Sequence, residues 1–166
     1  MFRSMTRLTL ATTSVMVASL VAFPALADSV TLGGTVNSIS SVTSTATAGA
    51  SGLSLSGEGT ATPDVVTKVA DMALTSNNSE GVTLSASADG DLTNGTDSLA
   101  YQVLIVADEG AAPAATEFSA NNTSEDVTDF DGNGESARDL YIEYDAPALL
   151  DPGNYAATIT VTVTDL

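Results

Sequence analysis

The stretch from Tyr155 to Leu166, Tyr-Ala-Ala-Thr-Ile-Thr-Val-Thr-Val-Thr-Asp-Leu, leaves its backbone little choice. Tyr155, Ala157, Ile159, Val161 and Val163 fall on one side of an extended chain, and Thr158, Thr160, Thr162 and Thr164 fall on the other. A period of two with β-branched residues on both sides specifies a half-buried strand, because a helix would scatter the same residues around its axis. Asp151-Pro-Gly-Asn154 immediately before it sets a sharp turn, with proline fixing one φ and glycine supplying a positive one. A strand this regular has to pair with an earlier strand or with another chain, since an open edge recruits a partner.

The remaining sequence reads as strands and turns, without a convincing helix. Val30, Leu32, Gly34 and Val36 alternate with polar residues and predict a first strand. Ser38 to Pro63 is rich in Ser, Thr, Ala and Gly; its recurring Thr and Val predict a loosely specified pair of strands, with Leu53 and Leu55 in a short one. Ala70, Met72 and Leu74 run to Asn77-Asn78, and Val82, Leu84, Ala86 and Ala88 run to Asp89-Gly90, a hairpin-like unit. Leu99 to Ala107 is apolar on both faces and predicts the central strand of a sheet. A long polar excursion over residues 109–135 precedes a penultimate strand carrying Leu140, Ile142 and Tyr144. Seven or eight short strands with regular turn signals predict an all-β fold, an antiparallel immunoglobulin-like β-sandwich, with a barrel as second choice.

The beginning of the sequence has a different character. Arg3 and Arg7 precede a mostly apolar stretch from Leu8 to Phe23 that ends in Ala25-Leu-Ala27, the pattern of a secretory signal peptide over residues 1–27. Cleavage there leaves 139 of the 166 residues, one domain's worth, exported and without membrane insertion of the mature chain. Residues 28–42 then form an N-terminal strand or extension and 43–166 the sandwich.

From Asp28 onward only Lys68 and Arg138 are basic, against 21 carboxylates, a formal charge of −19. Nucleic acid is excluded as a partner, since nothing cationic faces a phosphate backbone. Cysteine is absent, so the core alone, or a partner strand, holds the fold. Histidine is absent too, and without either residue the usual proton shuttles and thiol nucleophiles are missing; the carboxylate pairs, such as Glu125-Asp126, read as a solvated face and the chain as no enzyme.

Asp129-Phe-Asp-Gly-Asn-Gly-Glu135 places oxygen ligands at alternate positions. Asp129, Asp131, Asn133 and Glu135 form a candidate Ca²⁺ loop, the one cofactor that the residues suggest. Its opening fits the Asp-x-Asp-x-Asn-Gly pattern, but the position of the closing bidentate carboxylate falls on Leu140, so a glycine-rich turn is the competing reading.

The succession Lys68-Val-Ala-Asp-Met-Ala-Leu-Thr-Ser-Asn-Asn-Ser-Glu-Gly-Val-Thr-Leu84, Asp91-Leu-Thr-Asn-Gly95, Leu99-Ala-Tyr101, Arg138-Asp-Leu-Tyr-Ile142 and Leu150-Asp-Pro-Gly-Asn-Tyr155 resembles the subunits of chaperone–usher fimbriae, and more closely their cysteine-free, spore-coat-U-like branch. That resemblance implies an immunoglobulin-like domain lacking one strand, filled first by a periplasmic chaperone and then, at an outer-membrane usher, by the N-terminal extension of the next subunit. Carried onto this sequence, the donor is Val30, Leu32, Gly34 and Val36, and the acceptor groove is edged by Tyr155, Ala157, Ile159, Val161 and Val163. The chain would be a shaft subunit of a homopolymeric surface fimbrium serving adhesion or biofilm. The alternative is a self-complete, monomeric secreted sandwich, an adhesive or matrix module with the Asp129 loop as a calcium site, in which Val30 to Val36 is the domain's own first strand.

Overall fold

The computed structural model describes residues 31–55 and 59–166; the expected signal peptide and Val30 lie outside them. The chain divides into two units, Met1–Thr35 and Val36–Leu166. In the first, the described residues 31–35 belong to no helix or strand, and Leu32 is 90% exposed. Val36, which opens the second unit, is 87% exposed and likewise outside any strand. The first strand expected over Val30 to Val36 is therefore absent from the described residues. Gly33-Gly34 interrupts its alternation, and glycine in a strand gives up packing while costing entropy.

The second unit is an antiparallel β-sandwich. Its strands are β1 (Ser40–Ala46), β2 (Thr62–Ser76), β3 (Val82–Ala88), β4 (Leu92–Thr93), β5 (Ser98–Leu99), β6 (Gln102–Ala107), β7 (Asn122–Val127), β8 (Glu135–Ala146) and β9 (Ile159–Asp165). Seven are six residues or longer, within the expected number, and β4 and β5 add a two-residue ladder. One sheet has the order β1-β2-β8-β6 and the other β7-β3-β9. Labelling β1, β2, β6 and β8 as A, B, D and E, and β3 and β9 as C and F, reproduces the ABED and CF pairing of immunoglobulin domains. The place beside β9 that strand G takes there is unpaired among the described residues. Two open sheets also replace the barrel alternative.

Alternation in sequence becomes burial in the structure. On β2, Met72, Leu74 and Ser76 are buried while Asp71, Ala73 and Thr75 are exposed; on β3, Val82, Leu84, Ala86 and Ala88 are buried. Burying a side chain such as Met72 or Leu74 contributes about 1.5–3 kcal/mol. The two strands do not form the expected hairpin: β2 pairs with β1 and β8, β3 with β7 and β9. Each has one strongly apolar face, and placing those faces opposite one another across the core buries both. Gly81 permits the crossover, with φ of +102° and an approach to the Val127 carbonyl that leaves no room for a Cβ.

Three further expectations are corrected. Among the described residues between 38 and 61 stand β1 and a single helical turn, α1 (Ala48–Ser51), where a pair of strands was expected. The boundary drawn after residue 42 falls inside β1. Finally, β6 is an edge strand; the interior positions belong to β2 and β8, and on β8 Arg138 through Ile142 are all buried. The second apolar face of β6, Leu104 and Val106, is only half-buried.

β9 begins at Ile159, four residues after Tyr155. Tyr155 instead closes the corner between β8 and β9, its hydroxyl donating to the Asp151 carbonyl at 2.9 Å and accepting from Asn94 Nδ2 at 3.2 Å. A tyrosine at this corner bonded back to upstream backbone is itself a hallmark of immunoglobulin-type sandwiches. Among the described residues no helix is long and apolar enough to cross a membrane.

Candidate strand-accepting groove

The sandwich has two lateral sides, and they differ. On one side β6 lies against β7, and Val103 donates its N–H to the Ala120 carbonyl at 3.1 Å. The β7 edge carries Glu125 and Asp126, charges of the kind that deter added strands. On the other side, β1 and β9 are both edge strands, and a groove of about 240 Å³ runs between them.

Ser44, Ala46, Ala50 and Leu53 form one wall of this groove, and Ala157, Ile159 and Val161 the other. Its floor is the core itself, including Val69, Leu92, Tyr101, Leu140 and Ile142. Ser44, Ala46 and Ala157 are exposed, and Ile159 and Val161 only half-buried, whereas Ala86 and Ala88 on neighbouring β3 are buried. Small and branched side chains on these half-bare walls surround an apolar floor, and among the described residues no strand pairs with the outer edge of β1 or of β9. Neither wall carries charge: no ionisable residue occurs between Ser29 and Gly57, and none but Tyr155 between Pro152 and Thr164.

The groove is closed at one end. The Asp165 carboxylate accepts hydrogen bonds from the Ser38 and Ser40 hydroxyls, tying the start of β1 to the end of β9. These hydroxyls hold the Asp165 carboxyl below its ordinary pKa. Beyond this clasp the chain keeps the line of β1: Asn77 accepts from the Ile39 N–H at 2.8 Å through its side chain and donates to the Asn37 carbonyl at 2.8 Å.

Of the five residues expected to edge an acceptor groove, three line it: Ala157, Ile159 and Val161. Val163 packs against the core, and Tyr155 is spent on the corner. The β1 wall, α1 and the floor were not anticipated from the sequence. The signal is the uncharged run through residues 29–57, whose composition rich in Ser, Thr and Ala does not say which side faces the core.

The Asp129 loop is not among the residues that line this groove. Asp129 receives Arg138 Nη2 at 2.7 Å and Nη1 at 3.2 Å, and this pairing holds its carboxyl below the usual range. Asp131 Oδ1 accepts the Glu135 and Asn133 N–H groups at 2.9 and 2.8 Å, which lower its pKa likewise. Gly134, at φ +77°, passes so close to the Ser76 carbonyl that no Cβ would fit. Asp129 and Asp131 thus engage an arginine and the loop's own backbone. Among the described residues the acidic group whose oxygens converge is Asp64, Glu143 and Asp145, on the outer side of β2 and β8. Burial, with Asp145 and Asp64 nearby, raises the Glu143 carboxyl above its ordinary value.

Arg138 also reaches Glu125 on β7 at 3.0 Å, so it ties β8 in one sheet to β7 in the other. Lys68 on β2 pairs with the buried Asp139 at 2.7 Å and with Asp71 at 2.6 Å; both carboxylates raise its pKa. No family model matches this chain, and a search of curated proteins finds no match.

Proposed function

We propose that this chain is a structural subunit of a surface fibre, in which residues 30–36 of one copy add a strand beside β9 of another. The observation that carries the reading is the β1/β9 groove, an apolar and uncharged sandwich edge with one strand place vacant. β-Strand addition supplies what such an edge lacks: main-chain hydrogen bonds along β9 and side chains entering from alternate positions. The segment holding Val30, Leu32, Gly34 and Val36 suits the role, being uncharged, carrying branched apolar residues at every second position except Gly34 and, over its described part, exposed.

Donation to another copy is favoured over self-completion. Residues 37–39 leave β1 past the clasp end of the groove under the hold of Asn77, so the same chain would have to reverse sharply to reach its own groove. A polymer built head to tail in this way needs no receptor site in the shaft subunit. The periplasmic route follows from the same reading: an exported groove must be covered before assembly, the task of a chaperone, and an usher supplies the site of exchange. Adhesion or biofilm formation is the use of such a fibre.

The test is electrophoresis of material taken from the cell surface, with and without boiling in SDS. Donated strands predict a ladder in the cold that collapses to one band near the mature mass on boiling. A lone monomer band in both lanes, from material shown intact, would overturn the reading. A companion variant lacking residues 28–36 should fold, because β1 begins only at Ser40, and should remain monomeric.

A further inference from the structure

The charge-free groove has a consequence for when copies can meet. From Asp28 onward the formal charge is −19, and neither basic side chain is free to answer a carboxylate on a neighbour. Lys68 is held between Asp71 and Asp139, and Arg138 between Glu125 and Asp129. An ion pair between copies would therefore need one of these internal pairs to break. Opening the Arg138 or Lys68–Asp139 pair would leave a charge buried without a partner, since Arg138 and Asp139 are 6% and 1% exposed. Electrostatics between copies is then repulsion alone. The uncharged segments, residues 29–57 and 152–164, supply the surfaces where contact costs least.

We infer that ionic strength gates the joining of copies at the β1/β9 groove, with dissolved salt acting by screening and not by occupying a site. This rests on the strand-donation reading above. Repulsion between exposed charges reaches about 30 Å at 0.01 M ionic strength, about 10 Å at 0.1 M and about 3 Å at 1 M. At low salt it covers the whole approach of two sandwiches, whereas at high salt it is gone before the edges touch. The usual steering of proteins toward partners of opposite charge is reversed here: association speeds up as salt is added. Since charge fields alter association rates by about 10- to 1000-fold, a gain of at least about tenfold is expected.

The experiment takes full-length protein collected after export, dissociates it in denaturant, and follows the return of SDS-resistant polymer on dilution into 0.01, 0.1 and 1 M NaCl. The expected result is at least a tenfold faster return at 1 M than at 0.01 M. A parallel series in CaCl₂ at matched ionic strength should give the same rates. Asp108→Asn/Glu109→Gln/Glu117→Gln, three neutralised carboxylates in the crossover away from the groove, should flatten the dependence. A rate independent of salt, or faster in dilute buffer, would overturn the inference while leaving strand donation standing. So would acceleration by calcium beyond its ionic strength, which would assign the effect to a bound cation. Polymer failing to return at any salt, from a chain shown by circular dichroism to have refolded, would overturn this inference, whereas strand donation itself falls only if surface material gives a lone monomer band in the cold.

Discussion

Removing the Tyr155 hydroxyl takes a donor from the Asp151 carbonyl and an acceptor from Asn94. Tyr155→Phe keeps the ring and should cost about 1 kcal/mol, read as a lower urea midpoint at unchanged slope. Arg138→Ala is a harsher change, because one guanidinium bonds Glu125, Asp129 and the Ala137 carbonyl and so ties the sheets together. A loss of about 2–4 kcal/mol is expected in the same measurement, and Arg138→Lys should recover only part, having no fork to share. Glu143 carries the opposite sign. Its folded pKa is raised, so its ionised form weakens the fold at neutral pH; Glu143→Gln should stabilise at pH 7, by about 0.5 kcal/mol, and the difference should vanish below about pH 4. Of these residues the sequence singled out Tyr155, but for the wrong place. Its Asp-x-Gly-x-Tyr spacing identifies a corner as readily as a strand entry, and only the hydroxyl's partner decides. In sequence, oxygens at alternate positions leave the Asp129 loop open to both a calcium site and a plain glycine-rich turn. Arg138, nine residues away in sequence, is what Asp129 faces.

At the scale of elements, the period-two runs locate β2, β3, β8 and β9 well, because a buried face imposes itself directly on residue type. Neighbours are less legible. Alternation says which side of a strand is buried but not which strand lies beside it, and so β2 and β3, adjacent in sequence, resemble a hairpin that the fold does not make. β6 was placed at the centre because Leu104 and Val106 extend its apolar run, although the partial cover at a sheet edge suffices for them. The groove could be half read: one wall, β9, is regular, while the other is made of serine, alanine and threonine that cannot by themselves announce a wall. Val161→Lys tests the element as a whole. Its half-buried site lets a lysine stem lie along the wall with the ammonium in water, so the sandwich should keep its thermal midpoint within a few degrees. The SDS-resistant ladder should disappear, because the charge sits where an added strand must pack.

For the whole molecule, acid should act through a small set of carboxylates. Asp129, Asp131 and Asp165 have folded pKa values below their unfolded ones, held there by Arg138, by backbone N–H groups and by serine hydroxyls respectively. Their stabilisation is complete above about pH 4 and is lost as pH falls through the depressed values. In 1 M NaCl, where general repulsion is screened, the thermal midpoint should rise slightly from pH 7 as Glu143 takes up its proton and then drop below pH 4; a midpoint still rising below pH 4 would contradict these assignments. The central claim, that the missing strand comes from another copy, is tested most directly by cross-linking, for which a chain without cysteine is well suited. Leu32→Cys protein is mixed in denaturant with Ala157→Cys, Ile159→Cys or Val161→Cys protein carrying a mass tag, reassembled in 1 M NaCl and oxidised. The account predicts a heterodimeric disulfide with at least one groove position, absent when the tagged partner instead carries its cysteine at Asp126 on the opposite edge. Failure to cross-link at all three, together with a ready disulfide inside a single chain bearing both Leu32→Cys and Ile159→Cys, would show a self-completed sandwich and contradict it.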